Sequence, residues 1–228
     1  MKIPKLTPRL KKIYDIVPPC KTVCDIGTDH AYIPVCLTLS GKCDKAIASD
    51  IVKGPVERAK STVLLYGAED KVSVRLGGGL ETVSEGEAET DIIAGMGGLL
   101  IAQILEDSKA VAKSAKTLIL QPMTATAELR QYLNQNGYII EKEFIVREDE
   151  KLYTIILVSV GEDTPYTKAE IYMGKKIEKN ENFESYRNER FSKLNKQING
   201  LSKSENEKNL KRLDELKNLK EMIENENL

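Results

Sequence analysis

The sequence predicts an α/β protein with a seven-stranded, mostly parallel sheet and a C-terminal helical hairpin. Up to about residue 137, short apolar runs alternate with helical stretches, the pattern of parallel strands joined by crossover helices. Two strand-like runs, Tyr138–Val146 and Leu152–Val160, then follow without a helix between them, which indicates an antiparallel pair and one reversed strand. Beyond Pro165 the chain is rich in Lys, Glu and Asn, with apolar residues at helical spacing. We therefore predict two domains, at 1–164 and 165–228.

The length, composition and charge of the chain limit the functions that it can have. The 228 residues are enough for one α/β domain and an appendage, and 41% of them are hydrophobic, as a globular core requires. The net charge of −1 provides no overall attraction to nucleic acid or membranes. No apolar run approaches the ~18 residues of a membrane span, and no apolar segment typical of a secretion signal follows Met1. We expect a cytoplasmic protein without membrane contact, and a monomer.

The four cysteines, Cys20, Cys24, Cys36 and Cys43, include no pair at Cys-x-x-Cys spacing. Cys24 and Cys36 lie in apolar patterns, as small buried residues do. A zinc site is the alternative to reduced thiols, but it lacks the paired spacing typical of such sites. We predict no bound metal.

The first helix is predicted to begin at Thr7-Pro8, with Thr7 as N-cap, and to end before Pro18-Pro19. Its apolar stripe leaves three basic side chains turned toward solvent, namely Arg9, Lys11 and Lys12. Residues 1–24 contain six basic residues against one acidic residue. The three side chains are therefore candidates to bind phosphates of a nucleic acid, with an ordinary solvated helix face as the alternative.

Glycines, prolines and capping residues delimit the remaining elements. The predicted parallel strands are Thr22–Ile26, Lys45–Ser49, Val72–Leu76, Asp91–Ala94 and Thr117–Leu120. The predicted helices that accompany them are Ala31–Leu39, Gly54–Tyr66, Leu99–Glu106 and Thr124–Asn136. In the C-terminal region, two long helices separated by Gly200–Ser204 are predicted to form an antiparallel coiled-coil hairpin. Its charges are typical of a solvated surface, with a phosphate-binding face as the alternative.

The segment from Asp25 to Pro34 is predicted to be the functional centre. A strand, a glycine turn and a helix follow one another, so the turn amides and the helix N-terminus should face the crevice at the carboxyl end of the strand. A pyrophosphate cofactor favours three glycines in this turn, whereas only Gly27 is present and the carboxylates of Asp25 and Asp29 would repel phosphates. The sulfonium of S-adenosylmethionine is positively charged. The charge pattern therefore favours S-adenosylmethionine as cofactor.

Residues in and after the first three strands are candidates to bind this cofactor. Asp50 ends the second strand, where it could accept both ribose hydroxyls or act as a turn or capping residue. Gly77–Gly79 leave room for a flat adenine ring, or form a flexible loop. His30, the only histidine, could contact the cofactor or serve as a structural hydrogen-bonding residue, and Tyr32 could stack on a base or cofactor.

The opposite rim of the crevice is predicted from the ends of the fourth and fifth strands. The run Gly95-Met96-Gly97-Gly98 lets backbone approach a planar substrate closely and opens a helix whose first amides face the crevice. Gln121 and Pro122 end the fifth strand on the same rim. The amide of Gln121 could read a base edge, or could satisfy loop backbone.

Three motifs, Asp25–Pro34, Ile93–Gly98 and Leu120–Pro122, together closely resemble those of the bacterial tRNA adenine-N1 methyltransferases, which modify adenine 22 in the D-arm. The similarity extends over nearly the whole chain. The resemblance implies a class I, Rossmann-like methyltransferase fold, S-adenosylmethionine as methyl donor, and tRNA as substrate and partner.

The resemblance also implies roles for individual residues. The implied cofactor-binding residues are Asp25, Gly27, Asp29, His30, Tyr32 and Asp50, and Gly77, Gly78 and Gly95 are also expected there. The residues implied or expected on the substrate side are Arg9, Lys11, Lys12, Tyr32, Gly95, Met96, Gly97, Gln121 and Pro122. The family typically has an acidic residue where this chain has Gly78, so Gly78 cannot offer a carboxylate to the adenine of the cofactor.

The expected reaction needs little acid–base chemistry. Adenine N1 carries a lone pair, so methyl transfer depends on alignment and desolvation, and the base must leave its stack to expose this edge. Asp29 is the leading candidate for electrostatic assistance, with Gly95 and Met96 as the other catalytic candidates. Two alternatives are a small-molecule methyltransferase, which would need neither the hairpin nor a basic N-terminus, and a non-catalytic scaffold that uses the hairpin.

Overall fold

The computed structural model describes residues 3–203 and 206–226, so Ser204 of the predicted separator lies outside the described residues. Within these ranges the strands are β1 (Cys20–Ile26), β2 (Cys43–Asp50), β3 (Val72–Leu76), β4 (Thr90–Gly97), β5 (Thr117–Thr124), β6 (Tyr138–Glu148) and β7 (Lys151–Val160). The α-helices are α1 (Pro8–Ile16), α2 (Tyr32–Leu39), α3 (Lys53–Tyr66), α4 (Gly98–Asp107), α5 (Lys109–Ser114), α6 (Thr126–Gln135), α7 (Lys168–Met173), α8 (Phe183–Leu201) and α9 (Glu207–Asn225).

The strands of the described chain form one seven-stranded sheet in the order β3-β2-β1-β4-β5-β7-β6, which confirms the predicted architecture. The pairs from β3 to β5 are parallel, whereas β7 runs antiparallel to both β5 and β6. The chain order reverses between β1 and β4. Open sheets of this kind bind ligands at such a switch point, outside the carboxyl ends of the strands.

Helices cover both faces of the sheet because successive strand residues point to opposite sides. Along β4, Ile92 faces the layer formed by α1, α2 and α3, whereas Ile93 faces the layer formed by α4, α5 and α6. Both side chains are completely buried. Burial of a side chain of this size contributes about 1.5–3 kcal/mol, so the two apolar layers hold the strand ends in a fixed position.

The structure extends or adds several elements relative to the sequence prediction. β4 and β5 continue to Gly97 and Thr124, which pair with each other after two register shifts. A 3₁₀ turn at Gly79–Thr82, helix α5 and helix α7 were not predicted, since each is too short to show a helical period. Helix α7 does carry a local signal, because Thr167 and Glu170 form a capping box at its start.

A buried ion pair joins the sheet domain to the C-terminal helices. Arg130 of α6 and Glu143 of β6 are fully buried and lie 2.7 Å apart, from Nη2 to Oε2. Arg130 also donates to the carbonyl groups of Ile171 and Tyr172 in α7 and to the hydroxyl of Tyr186 in α8. These buried polar contacts therefore attach the C-terminal helices to the sheet. The predicted division at 164/165 stays a prediction.

Neither a membrane-spanning helix nor a metal-binding cluster is found in the described ranges. No helix there is long and apolar enough to cross a membrane. No three His, Cys, Asp or Glu side chains there come together in a way that could hold a metal ion. The four cysteines are free thiols, and the sulfur atoms of Cys20 and Cys43 lie 2.9 Å apart across β1 and β2.

Candidate functional site

The turn after β1 is tied to the end of β2. The amides of Gly27 and Thr28 both donate to the carbonyl oxygen of Ser49, at 2.8 and 3.0 Å, and the amides of His30 and Ala31 donate to the carbonyl oxygen of Thr28. The prediction that the turn amides face the crevice is therefore wrong for these four groups. The parallel register places Ser49 beside Ile26, so its carbonyl reaches the turn that a phosphate would otherwise occupy.

Asp25 lies at the floor of the crevice, at the end of β1. Its side chain is buried, and Oδ2 accepts a hydrogen bond of 2.6 Å from the hydroxyl of Thr28. The pKa of Asp25 is raised to about 7, mainly by burial and to a smaller extent by the nearby Asp50 carboxylate, while the hydrogen bond from Thr28 opposes the shift. A positive charge bound next to Asp25 would favour its ionised form.

Asp29, His30 and Tyr32 form the rim of the turn. Asp29 has a φ of 47° and pairs with Arg58, whose Nε lies 3.2 Å from Oδ1, and with His30 at 3.4 Å. Its side chain is 56% exposed, so its charge is both compensated and solvated. The rings of His30 and Tyr32 stack with their centroids 5.1 Å apart. The predicted electrostatic role of Asp29 stays a prediction, and the structure gives it a cationic partner that the sequence analysis did not identify.

These residues line a cavity of about 330 Å³. The lining residues are Arg9, Leu10, Asp25, Gly27, Thr28, Asp29, His30, Tyr32, Ile33, Ala94 and Gly95. The cavity unites most of the first turn with the end of β4, as predicted. It also includes Arg9, which the sequence analysis placed elsewhere.

The expectation that Arg9, Lys11 and Lys12 all face solvent is correct only for Lys11. Lys11 is exposed and pairs with Asp15, whereas the side chains of Arg9 and Lys12 are 20% and 28% exposed. Lys12 lies over the ring of Phe144, 4.0 Å from its centroid, and pairs with Glu178. Long basic side chains cover apolar surface with their stems, which is why the apolar stripe alone did not reveal this second buried face of α1.

The side chain of Gln121 is fully buried between α1 and β4. Its Oε1 accepts from Nη1 of Arg9 at 2.6 Å and from the amide of Gly95 at 3.1 Å, and its Nε2 donates to the carbonyl of Pro122. Of the two roles that the sequence left open for Gln121, these contacts match the one that satisfies loop backbone, and contact with a base stays a prediction. Pro122 is buried opposite Met96 in the sheet.

The glycines after β4 differ in what they do. Gly95 is exposed with a φ of 78°, which favours glycine and leaves the backbone open toward the cavity. Gly97 ends β4 opposite Thr124, and a Cβ on Gly98 would overlap the carbonyl of Ala125. Gly97 and Gly98 therefore allow close packing of α4 against the loop after β5. The sequence analysis had instead explained these two glycines by the close approach of a planar substrate to the backbone.

Asp50 and the glycines after β3 lie next to the cavity without lining it. Oδ1 of Asp50 accepts a 2.9 Å hydrogen bond from the amide of Val52, which is the turn role left open by the sequence. A Cβ on Gly77 would overlap the methyl group of Thr82. A Cβ on Gly78 would lie 3.3 Å from Ile51 and 3.6 Å from Oε2 of Glu81, so the space beside Gly78 is bounded by one apolar and one acidic side chain. Their contacts with a cofactor stay predictions.

Three residues of the site, namely Thr28, Ser49 and Arg58, were not found from the sequence. Neither were Glu148 and Tyr153, which contact the Arg9 side chain. Arg9 itself could have been placed, because it lies four residues before the buried Ile13 and so shares its face of the helix. Thr28 bonds to Asp25 three residues away, whereas Ser49, Arg58, Glu148 and Tyr153 act through contacts between segments far apart in the chain. No local pattern marks such contacts.

The donor and acceptor groups of the cavity fit a cofactor without phosphates. The amides of Gly27 and Thr28 already bond to Ser49, so they cannot cradle a pyrophosphate. Asp25 in the cavity and Asp50 near it instead supply carboxylates, which suit ribose hydroxyls and positively charged groups. The residues present therefore fit S-adenosylmethionine better than a dinucleotide.

Comparison with known proteins agrees with this chemistry. Residues 6–156 match a family model described as a methyltransferase domain. The tRNA (adenine(22)-N(1))-methyltransferase of Bacillus subtilis is 40% identical over 158 residues, which span 69% of this chain and 66% of that protein.

Solved structures extend the similarity to almost the full length. The crystal structure of the B. subtilis tRNA methyltransferase TrmK matches with a TM-score of 0.86 and 35% identity, over 96% of this chain and 99% of that one. M. capricolum TrmK, solved in complex with S-adenosyl-homocysteine, matches with a TM-score of 0.82 and 27% identity, over 96% and 98% of the two chains. On the sequence identity and the near-complete structural overlap, the chain belongs to the TrmK family of tRNA methyltransferases.

Proposed function

We propose that this protein transfers a methyl group from S-adenosylmethionine to N1 of adenine 22 in tRNA. The observation that carries the proposal is the 40% identity to the B. subtilis enzyme of this name over 158 residues. The cavity lies within residues 6–156, which match the methyltransferase domain. The hydrogen bonds from the turn amides to Ser49 support it independently, since they remove the anion-binding groups that other nucleotide cofactors require.

The cofactor would bring a methyl group on a positively charged sulfur. Asp50 is proposed to accept hydrogen bonds from its ribose, and Asp25 to stabilise positive charge at the floor of the cavity. The exposed backbone of Gly95 and the side chain of Met96 would border the target adenine, beside Tyr32. Since N1 already has a lone pair, these residues need only hold the ring in line and exclude water, with Asp29 as a candidate for electrostatic assistance at the rim.

The tRNA must present a single base to this cavity while its backbone lies outside it. N1 lies on the Watson–Crick edge, so adenine 22 is proposed to leave its stack. A groove of about 840 Å³ separates the end of β5 from the hairpin helices. Tyr153, which packs against Arg9, lines this groove. Its charged lining consists of four basic side chains (Lys151, Arg190, Lys193 and Arg212) and three acidic ones (Glu128, Glu150 and Glu189). With this small excess of positive charge, the groove is the proposed path of the neighbouring backbone. We expect the enzyme to act as a cytoplasmic monomer.

An assay with unmodified tRNA tests the proposed reaction. The protein is incubated with S-adenosylmethionine and a transcribed tRNA, and methylated positions are mapped by reverse-transcription stops and nucleoside mass spectrometry. We expect 1-methyladenine at position 22, and none in a matched transcript with guanine there. Methylation at another position, or of small amines and phenols alone, would overturn the proposal, and so would an absence of S-adenosylmethionine binding, as expected of a scaffold.

A further inference from the structure

We propose that Cys20 and Cys43 form a redox site, at which a peroxide converts the two thiols into a disulfide that joins β1 to β2. The site lies at the amino ends of these two strands, whereas the cavity lies at their carboxyl ends. The proposed methyl transfer uses neither thiol, so this inference is independent of the proposed function.

The register of the sheet places the two cysteines directly opposite each other. Cys20 pairs with Cys43 in the parallel ladder of β1 and β2, so both side chains leave the same face of the sheet. Neighbouring strands lie about 4.8 Å apart, and a disulfide needs a separation of about 4.4–6.8 Å between its two Cα atoms. The sulfur atoms lie 2.9 Å apart. A bond between them would therefore require no change of register.

The other two cysteines are arranged differently. Cys24 is opposite Ile47 in the same ladder, and the thiol of Cys36 donates to the carbonyl oxygen of Pro4 at 3.4 Å. Both of these cysteines are buried free thiols. They therefore provide internal controls for oxidation of the pair.

The two thiols of the pair are not equivalent. Cys20 is half-buried, whereas Cys43 is only 1% exposed, so an oxidant from solvent reaches Cys20 first. The hydrogen bond between the thiols lowers the pKa of Cys20 and raises the pKa of Cys43, while burial and the carboxylates of Glu89 and Asp44 oppose the shift at Cys20. The thiolate is the reactive form of cysteine. Cys20 is therefore the attacking sulfur, and Cys43 is the resolving one.

In the proposed reaction the thiolate of Cys20 attacks one oxygen of a peroxide such as hydrogen peroxide. An S–O bond forms, the O–O bond breaks, and the departing oxygen takes the proton that Cys20 released and leaves as water. The sulfur of Cys43 then attacks the sulfenic acid of Cys20. An S–S bond forms, the S–O bond breaks, and the leaving hydroxide takes the proton of Cys43 as a second water. The two thiols lose two electrons in total, and one peroxide is reduced to two waters.

The disulfide would close a loop over residues 20–43. This loop contains helix α2 and the whole turn after β1, including Asp25 and Gly27. A crosslink of this span restricts the unfolded chain more than the folded one. We therefore expect the oxidised protein to melt about 5–10 °C above the reduced protein.

Peptide mapping after peroxide treatment tests the proposal. The full chain is treated with a small excess of hydrogen peroxide, alkylated, and digested without reductant, and its melting temperature is measured by circular dichroism. We expect two of the four free thiols to disappear, a crosslinked peptide that joins Cys20 to Cys43 within one chain, and full reversal by dithiothreitol. Cys36→Ser removes a buried cysteine outside the pair. It is the matched control and should form the same crosslink.

Cys43→Ser removes the resolving thiol. In this variant peroxide should convert Cys20 to a sulfenic acid that dimedone traps, and then to a sulfinic acid, without a rise in melting temperature. Wild-type protein that keeps four free thiols, or that accumulates sulfinic acid at Cys20 without the crosslink, would overturn the inference. A crosslink to Cys24 or Cys36, or between two chains, would also overturn it. If Cys43→Ser does not fold, the crosslink map and the melting temperature of the wild type decide the question.

Discussion

The terminal methyl group of Met96 occupies the place that a Cβ on Gly27 would take. This contact joins the turn after β1 to the extended end of β4, and it connects two motifs that are far apart in the sequence. Gly27 also has a φ of 72°. Two separate causes therefore exclude a side chain at this position, and mutants can distinguish them.

Gly27→Ala is expected to destabilise the protein through both causes. The positive φ alone costs about 1–2 kcal/mol. Overlap with Met96 adds about 1 kcal/mol, the lower end of the usual cost of overpacking, because the methyl group ends a flexible side chain that can shift. Gly41 has a φ of 74° with nothing near its missing Cβ, so Gly41→Ala measures the backbone cost alone. In urea unfolding, the excess cost at Gly27 should disappear in a Met96→Ala background. If the excess persists there, Met96 is not its cause.

Affinity for S-adenosylmethionine is expected to rise between pH 6 and 7.5. The pKa of Asp25 is about 7 in the free protein, so the carboxyl is mostly neutral at pH 6 and mostly ionised at pH 7.5. A cation favours the ionised form, and linkage then predicts a gain of up to about eightfold over this range. Asp25→Asn should bind more weakly and show a flatter profile in calorimetry. A profile of equal steepness in the variant would assign the titration to another group.

Asp50→Asn separates the two roles of Asp50. Asparagine keeps the oxygen that accepts from the amide of Val52, so the melting temperature should stay near that of the wild type. It replaces the other acceptor by a donor, so we expect roughly tenfold weaker binding of S-adenosylmethionine, as for a lost hydrogen bond to a charged group. Asp50→Ala should lose both stability and affinity. Equal cofactor affinity for the wild type and Asn variant would leave Asp50 with the turn role alone.

Asp91→Asn is expected to stabilise the protein at pH 8. Asp91 is buried in β4, neither oxygen has a hydrogen-bond partner in the described chain, and burial raises its pKa to about 7. The folded protein thus binds a proton that the unfolded chain releases near pH 4, so this residue costs stability as the pH rises from 4 to 7. The variant should gain on the order of 2–4 kcal/mol at pH 8 and little at pH 4, as measured by urea unfolding. A gain that is equal at both pH values would contradict this explanation.

Arg130→Met is expected to cost roughly 3–5 kcal/mol, because it leaves the carboxylate of Glu143 buried without its partner. Replacing both residues, by Arg130→Met and Glu143→Leu, should recover part of that loss. Arg212→Met is the control, since its exposed pair with Glu215 should contribute at most about 1 kcal/mol. Urea unfolding monitored by circular dichroism measures all three. A double variant less stable than Arg130→Met would show that Glu143 is satisfied without the arginine.

The sheet could be predicted from the sequence because its signals are local. The strand Val72–Leu76 has the predicted bounds, and Gly67 ends α3 in the left-handed conformation, as its position after the last apolar turn indicates. The reversed strand followed from the absence of a helix between Tyr138–Val146 and Leu152–Val160. Cofactor chemistry was also local, since it depended on one glycine and two acids within a single turn.

The contacts of the site were less predictable, because they depend on tertiary packing. Arg9 was predicted to face solvent, because charged residues beside an apolar stripe usually do. Its contacts with Gln121 and Tyr153 instead hold its side chain at the cavity. The turn amides were predicted to bind a ligand. Because of the register of β1 against β2, the amides of Gly27 and Thr28 instead donate to the carbonyl oxygen of Ser49. The hydrogen-bond partners of these groups depend on which strand end lies next to which turn. Composition and periodicity do not encode that information locally.

The hydrogen bonds that Ser49 accepts have a consequence for how this protein could change during evolution. We expect selectivity against diphosphate-containing nucleotides to be set by the main chain, because any residue at position 49 supplies the same carbonyl oxygen to the amides of Gly27 and Thr28. Point mutation of surface charges would therefore leave that selectivity intact. A descendant that bound a dinucleotide would first have to shift one strand relative to its neighbour, which would disturb every side chain in the layer beneath.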